Sequence, residues 1–232
     1  MANRIRNLAS TGALPFALAC LASACSTPPP APPPAPTLDA GQVASAAERR
    51  TAIDAPYRIT FEWSATEPGA RMSGRGLARI EPPYRARLDL FADNGEHVAA
   101  AVLDGDDLRV AAGAQTSIPP APLLWGALGV YRPGFGSVLA GGRVYPGGEL
   151  ELGYRIPQGE LRYRLRDDLI ERIDVLGGGT TVEEVALARG AGERFPRRAT
   201  YRHLVEVREL QMTLESVEDV ESYPTDIWTS AF

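Results

Sequence analysis

Side chains able to do chemistry are few and scattered in this 232-residue chain. Cys20 and Cys25 are the only thiols, and both lie near the N-terminus. The two histidines are His97, beside a hairpin-turn signal, and His203, in an alternating stretch with Tyr201 and Val205. A hydrolase would have to bring Ser137 and His203 together from distant segments, and no nucleophile elbow or metal-binding helix pair supports that chemistry. Asp104, Asp106 and Asp107 could hold calcium, although Gly-Asp runs more commonly serve as plain turns. Gly134, Phe135, Gly136 and Ser137 form a loop without the helix context that phosphate binding requires. The Gly177, Gly178, Gly179 run is a connector. The expectation is a non-enzyme that needs no cofactor and no metal.

The one cysteine set up for a covalent event is Cys25. It follows Leu21, Ala22, Ser23 and Ala24, and small residues before a cysteine resemble the lipobox of bacterial lipoproteins. Arg4 and Arg6 give a positive start, and residues 8–21 form an apolar run broken by Pro15. That run is short for a membrane span and reads as a cleavable export signal. Cys20 fits less well, because bulky Leu18 sits two residues before it. The resemblance implies a signal peptide over residues 1–24 and lipidation of Cys25, with more than one acyl chain needed for stable anchoring. In the lipoproteins that this segment resembles, Asp after the cysteine often signals inner-membrane retention, so with Ser26 there the resemblance implies the outer membrane, with the domain facing the periplasm. No cysteine follows, so the exported part carries no disulfide.

Residues 25–37 are Pro- and Ala-rich and read as an extended tether of roughly 3 Å per residue. Residues 38–232 have the size of one domain. The net charge is −5 and every one of the 24 basic residues is Arg, which leaves no nucleic-acid footprint.

Thr37 or Asp39 can cap a helix reaching Arg50, with Val43, Ala46 and Ala47 as a small apolar stripe. From Pro56 the apolar period becomes two. Tyr57, Ile59, Phe61 and Trp63 alternate with polar residues. Met72, Gly74, Gly76, Ala78 and Ile80 share the next face, followed by Ala86, Leu88 and Leu90. Asp93, Asn94 and Gly95 mark a tight hairpin. A Pro/Gly-rich segment over 117–144 then interrupts the pattern, with one or two helical turns expected over residues 121–128. Alternation resumes at Leu150 and continues to Leu214, giving about ten antiparallel strands.

So many strands with one apolar face each must curl. The expected fold is mainly β with a few helices: a strongly curved antiparallel sheet forming an unclosed β-barrel with a helical lid. The inner face would carry Tyr57, Ile59, Phe61, Trp63, Ala78, Leu88 and Leu90, with Gly74 and Gly76 leaving volume. Leu123, Leu124, Trp125 and Leu128 would face inward from the segment over 117–144. Two readings stay open for these side chains: they line a ligand cavity, or they fill the core.

The order of these features resembles the LolA/LolB/LppX superfamily of periplasmic lipid and lipoprotein carriers. It runs from the lipobox and an N-terminal helix to an Arg-rich strand after Pro82 and Pro83. An apolar segment and the basic run Phe195, Pro196, Arg197, Arg198 follow, then a last strand through Leu210, Met212 and Leu214. The resemblance implies an unclosed barrel that binds acyl chains of lipids or lipoproteins. Two positions depart from the family pattern: the hairpin at residues 93–95 is polar, and Glu81 precedes Pro82. The alternative is a structural or assembly accessory of the envelope that binds a protein partner through its outer face or a sheet edge.

Overall fold

A computed structural model describes residues 38–110 and 118–228. The signal segment, Cys20, Cys25, the tether and Ser117 lie outside the described residues.

Helix α1 (Ala40–Arg50) opens the domain. Asp39 caps it, its carboxylate accepting the Gln42 N–H at 3.1 Å. Arg49 and Arg50 complement the dipole of its last turn. Twelve strands follow: β1 (Tyr57–Glu67), β2 (Ala70–Glu81), β3 (Arg85–Ala92), β4 (His97–Asp104) and β5 (Asp107–Val110), then, after α2 (Ala121–Ala127), β6 (Val138–Val144), β7 (Leu150–Ile156), β8 (Gly159–Arg166), β9 (Leu169–Gly177), β10 (Thr180–Ala188), β11 (Arg198–His203) and β12 (Arg208–Asp219). A 3-10 turn, Thr225–Trp228, closes the described chain.

All twelve strands belong to one antiparallel sheet, in the order β5-β4-β3-β2-β1-β12-β11-β10-β9-β8-β7-β6. The first and last strands pair in the middle, and β5 and β6 are the two ends. The barrel is therefore unclosed, with its seam between β5 and β6. Register shifts at Thr60/Phe61, Leu90/Phe91, Leu139/Gly141, Arg164/Leu165 and Thr181/Glu183 bend the strands.

Strand β6 is the element that alternation does not reveal. Its sequence, Val-Leu-Ala-Gly-Gly-Arg-Val, has no period of two, because an end strand with one neighbour and adjacent glycines presents no continuous apolar face. Alternation predicts that Val205 continues the strand through Tyr201 and His203. Instead β11 ends at His203 and Val205 stands exposed in the turn that follows.

The concave face is the core. Along β1, Tyr57, Ile59, Phe61, Trp63 and Ala65 are all buried, while Arg58, Thr60, Glu62 and Ser64 face outward. The convex face carries cross-strand ion pairs, including Arg79–Asp89 at 2.6 Å and Arg202–Glu209 at 2.7 Å. It is not wholly charged: Trp228 is buried, and its carbonyl accepts from Arg109 at 3.2 Å, so the C-terminal turn docks against the first strands.

Candidate functional site

Helix α2 lies inside the curve of the sheet, against β9, β10 and β11. Its sequence is apolar on every side, as a helix surrounded by core requires. Leu123, Leu124 and Trp125 are almost completely inaccessible, and Leu128 just beyond the helix is buried as well. Polar bonds hold it in place from several elements. Trp125 Nε1 donates to the Gly105 carbonyl at 2.8 Å. The Tyr131 N–H donates to Thr51 Oγ1 at 2.9 Å, and that hydroxyl donates to the Ala47 carbonyl of α1 at 2.9 Å. The Tyr163 hydroxyl donates to the Arg132 carbonyl at 2.9 Å.

The structure brings every expected lining residue to this one interior. Tyr57, Ile59, Phe61, Trp63, Ala78, Leu88 and Leu90 come from β1–β3, and Leu123, Leu124, Trp125 and Leu128 meet them from α2 and its end. Gly74 and Gly76 are buried in the same sheet. Among the described residues, the space beside α2 is a slot and not a hollow. The apolar slot beside α2 has a volume of about 20 Å³, too little for an acyl chain. The helix fills the interior as a plug.

The small-residue face has a corresponding explanation. A methyl at residue 76 would overlap the Phe61 ring, and one at residue 74 would overlap the Phe91 carbonyl. Trp63 Nε1 donates to that same carbonyl at 3.1 Å and to Arg75 O at 3.2 Å. The volume these glycines give up is taken by neighbouring side chains and backbone. Gly76→Ala is accordingly expected to overpack the core and cost about 1–3 kcal/mol of stability. Thermal melting of the variant checks this, and an unchanged melting temperature would mean that Phe61 has room to move.

The candidate catalytic groups each have separate partners. The Ser137 hydroxyl donates to the Gly134 carbonyl at 2.7 Å, and His203 Nδ1 accepts the Glu206 N–H at 3.1 Å. Asp104 faces Arg85 at 3.5 Å, Asp107 faces Arg109 at 3.4 Å, and Asp106 faces Arg132 at 2.8 Å. No group of three or more His, Cys, Asp or Glu among the described residues is placed to hold a metal ion.

The sequence does not reveal where two of its marked segments sit. Phe135 is 98% exposed on the loop that Asp106 holds through the Phe135 N–H. Its flanking glycines were the only hint. The other borders an opening in the barrel wall. Strand β11 starts at Arg198, opposite Thr213, whereas β12 runs on to Asp219 with β1 as its strand partner. The last link across is the Leu214 N–H to the Arg197 carbonyl at 2.8 Å. Phe195 and Pro196 cover this gap from the loop before β11. They border the apolar slot, together with Leu128, Leu214 and Ile59. Outside it lies an open groove of about 710 Å³ bordered by Arg194, Phe195, Arg197 and Arg198. The sequence marks Phe195–Arg198 only as a basic run; its position at a break in the sheet depends on where β11 begins.

Burial sets the electrostatics here. It pushes the Tyr57 hydroxyl up to about 12, while nearby Arg194 opposes the shift. Burial lowers Arg189 to about 10. On the far side of the plug, burial and the hydrogen bond to Tyr154 raise Tyr131 far above the ordinary tyrosine range. Burial raises Tyr154 also, so Tyr57, Tyr131 and Tyr154 are all neutral at physiological pH.

No protein-family model matches the chain, and no curated protein matches it. Solved structures do. A LolA superfamily protein from Nitrosomonas europaea superposes with a TM-score of 0.52 at 13% identity, covering 83% of this chain and 98% of that one. An outer membrane lipoprotein-sorting protein domain from Vibrio parahaemolyticus gives 0.47 at 9% identity, over 81% and 94% of the two chains. The Pseudomonas aeruginosa MucA/MucB complex gives 0.30 at 12% identity, covering 83% of this chain and 61% of that one. The fold assignment rests on the first of these together with the strand order. With one twelve-stranded antiparallel sheet, an open seam and a helix within its curve, the chain has a LolA/LolB-like fold.

Proposed function

We propose that this chain is a lipid-anchored envelope protein of the outer membrane, facing the periplasm, that binds acyl chains of lipids or lipoproteins by exchanging them for its own helical plug. It does so without covalent catalysis and without a cofactor. The observation that carries this reading is the nature of α2. It covers the apolar face of an unclosed sheet, yet it is not a strand of that sheet and can leave without breaking a ladder. Its inward side chains have the same chemistry as a hydrocarbon chain. Apolar burial contributes roughly 25 cal/mol per Å² whatever the source of the carbon, so the apolar part of exchanging Leu123, Leu124 and Leu128 for methylenes is close to neutral, and the bonds of Trp125, Tyr131 and Arg132 set its cost. A near-neutral exchange suits a carrier, which must also let go. Anchoring through Cys25 would keep the domain within reach of the membrane.

A diazirine-bearing fatty acid tests the reading. Irradiated with the purified protein, it is expected to label peptides of β1, β3 and the segment around α2, at residues such as Leu88, Leu90 and Leu128. Labelling confined to the convex face, or none, would overturn it. Stable capture of an envelope protein with no interior labelling would favour the alternative of an assembly accessory that acts through its outer face or a sheet edge.

A further inference from the structure

We infer that the break in the wall between β12 and the loop before β11 is a side entrance for an anionic phospholipid. One acyl chain passes between Phe195 and Leu214 toward Leu128, and the phosphate rests on the guanidinium groups of Arg194 and Arg198. This rests on the acyl-binding reading above and adds to it a route, a gate and a headgroup class.

Three observations converge on this place. The first is the sheet itself. Beyond Thr213, β12 has no strand on its β11 side, so entry there need not separate a strand pair. The second is the gate. Phe195 is half-buried, packs its ring 5.2 Å from that of Tyr57, and borders both the outer groove and the inner slot. Swinging one side chain joins the two spaces. Tyr57 Oη, behind it, is buried and makes no hydrogen bond among the described residues.

The third is charge. The loop and strand start carry Arg189, Arg194, Arg197 and Arg198. Of these, Arg197 pairs with Glu193, at 2.8 Å through its Nε. Glu215, also on the groove, faces Arg75 at 3.7 Å. Arg198 has no ion pair among the described residues. Arg194 has no carboxylate partner there either; it donates to the Ala52 carbonyl and lies 5.1 Å over the Phe195 ring. Arg189 donates to the Ile170 carbonyl, and its Nη2 is buried without a hydrogen bond among the described residues. Burial weakens its hold on the proton, and a nearby anion would reverse that. Guanidinium groups without acids, at the mouth of an apolar slot, match a phosphate joined to a hydrocarbon chain. The groove outside is too large for a carboxylate alone and has room for a glycerophosphate, which favours a phospholipid over a free fatty acid.

The test uses the full chain in maltoside micelles and two fluorescent lipids with the same acyl chain, lysophosphatidylglycerol and the phosphate-free monoacylglycerol. The anionic lipid is expected to bind about tenfold more tightly. That preference should vanish in the double variant Arg194→Gln, Arg198→Gln, with binding of the monoacylglycerol retained as evidence of an intact fold. Benzoylphenylalanine in place of Phe195 should cross-link to the anionic lipid. Equal affinities in the parent, a preference that survives the double variant, or tighter binding of a matched fatty acid would overturn the inference. Interior labelling at Leu128 together with no cross-link at 195 would remove the side entrance and leave acyl binding standing. No lipid binding at either position would remove both.

Discussion

Replacing Trp125 with alanine is expected to lower the unfolding free energy by about 3–5 kcal/mol. The indole has no exposed surface, packs edge-on at 6.2 Å from the Tyr84 ring, and donates to the Gly105 carbonyl at 2.8 Å. Alanine removes all three contributions and leaves a void that α2 cannot collapse into, because Ile173 already presses on Gly126. Denaturant titration followed by circular dichroism measures the loss. The same variant should take up a fluorescent acyl chain more readily than the parent, since the void sits where a chain would go. A loss under about 1 kcal/mol would mean that α2 is a loose cover rather than part of the core.

Asp89→Asn is expected to cost about 3 kcal/mol at neutral pH. Asp89 is 4% exposed although it lies on the convex side. Its carboxylate accepts from Arg79 at 2.6 Å, from Arg87 through Nε at 2.9 Å, and faces His97 Nε2 at 3.2 Å. Arg87 in turn donates to the Ile227 carbonyl at 2.9 Å, so the network also fastens the C-terminal turn. Burial alone would raise the Asp89 carboxyl, but the guanidinium groups of Arg87 and Arg79 outweigh it and hold the carboxyl below its usual range. A carboxyl depressed in the folded state contributes stability that is fully present above its unfolded pKa, about 3.9. That stability is lost as pH falls through the folded value. The gap between parent and Asn variant should therefore be constant at neutral pH and close below about pH 4. A gap that persists unchanged into that range would show that packing, not charge, is what Asp89 supplies.

How far the sequence foretold this structure depends on which force shapes each part. The strands whose two faces differ, such as β1 with Tyr57 to Trp63 against Arg58 to Glu62, are legible because burial imposes a period of two. Helix α1 is legible from Asp39, and α2 from the short apolar run at residues 121–128. Strand β6 is not, because Gly141 and Gly142 carry no face to read. The site divides in the same way. Its inward residues follow from alternation. Whether they surround a space or fill one is a matter of summed volumes: Gly76 counts as room in the sequence and is spent on the Phe61 ring in the fold. The wall opening depends on β12 running past the start of β11, a register between segments that no local pattern records.

The pairing of β1 with β12 at the centre of the sheet has one more consequence. Most other neighbours in the sheet are joined by short turns, so each wing is a local ribbon, and the single ladder from Tyr57–Asp219 to Thr66–Glu209 binds the two together. That ladder is a spine, and the β5 and β6 margins are the fore-edge of an open book. Movement of the covers need not loosen the binding, so the wings have freedom to part while the first and last strands stay clasped.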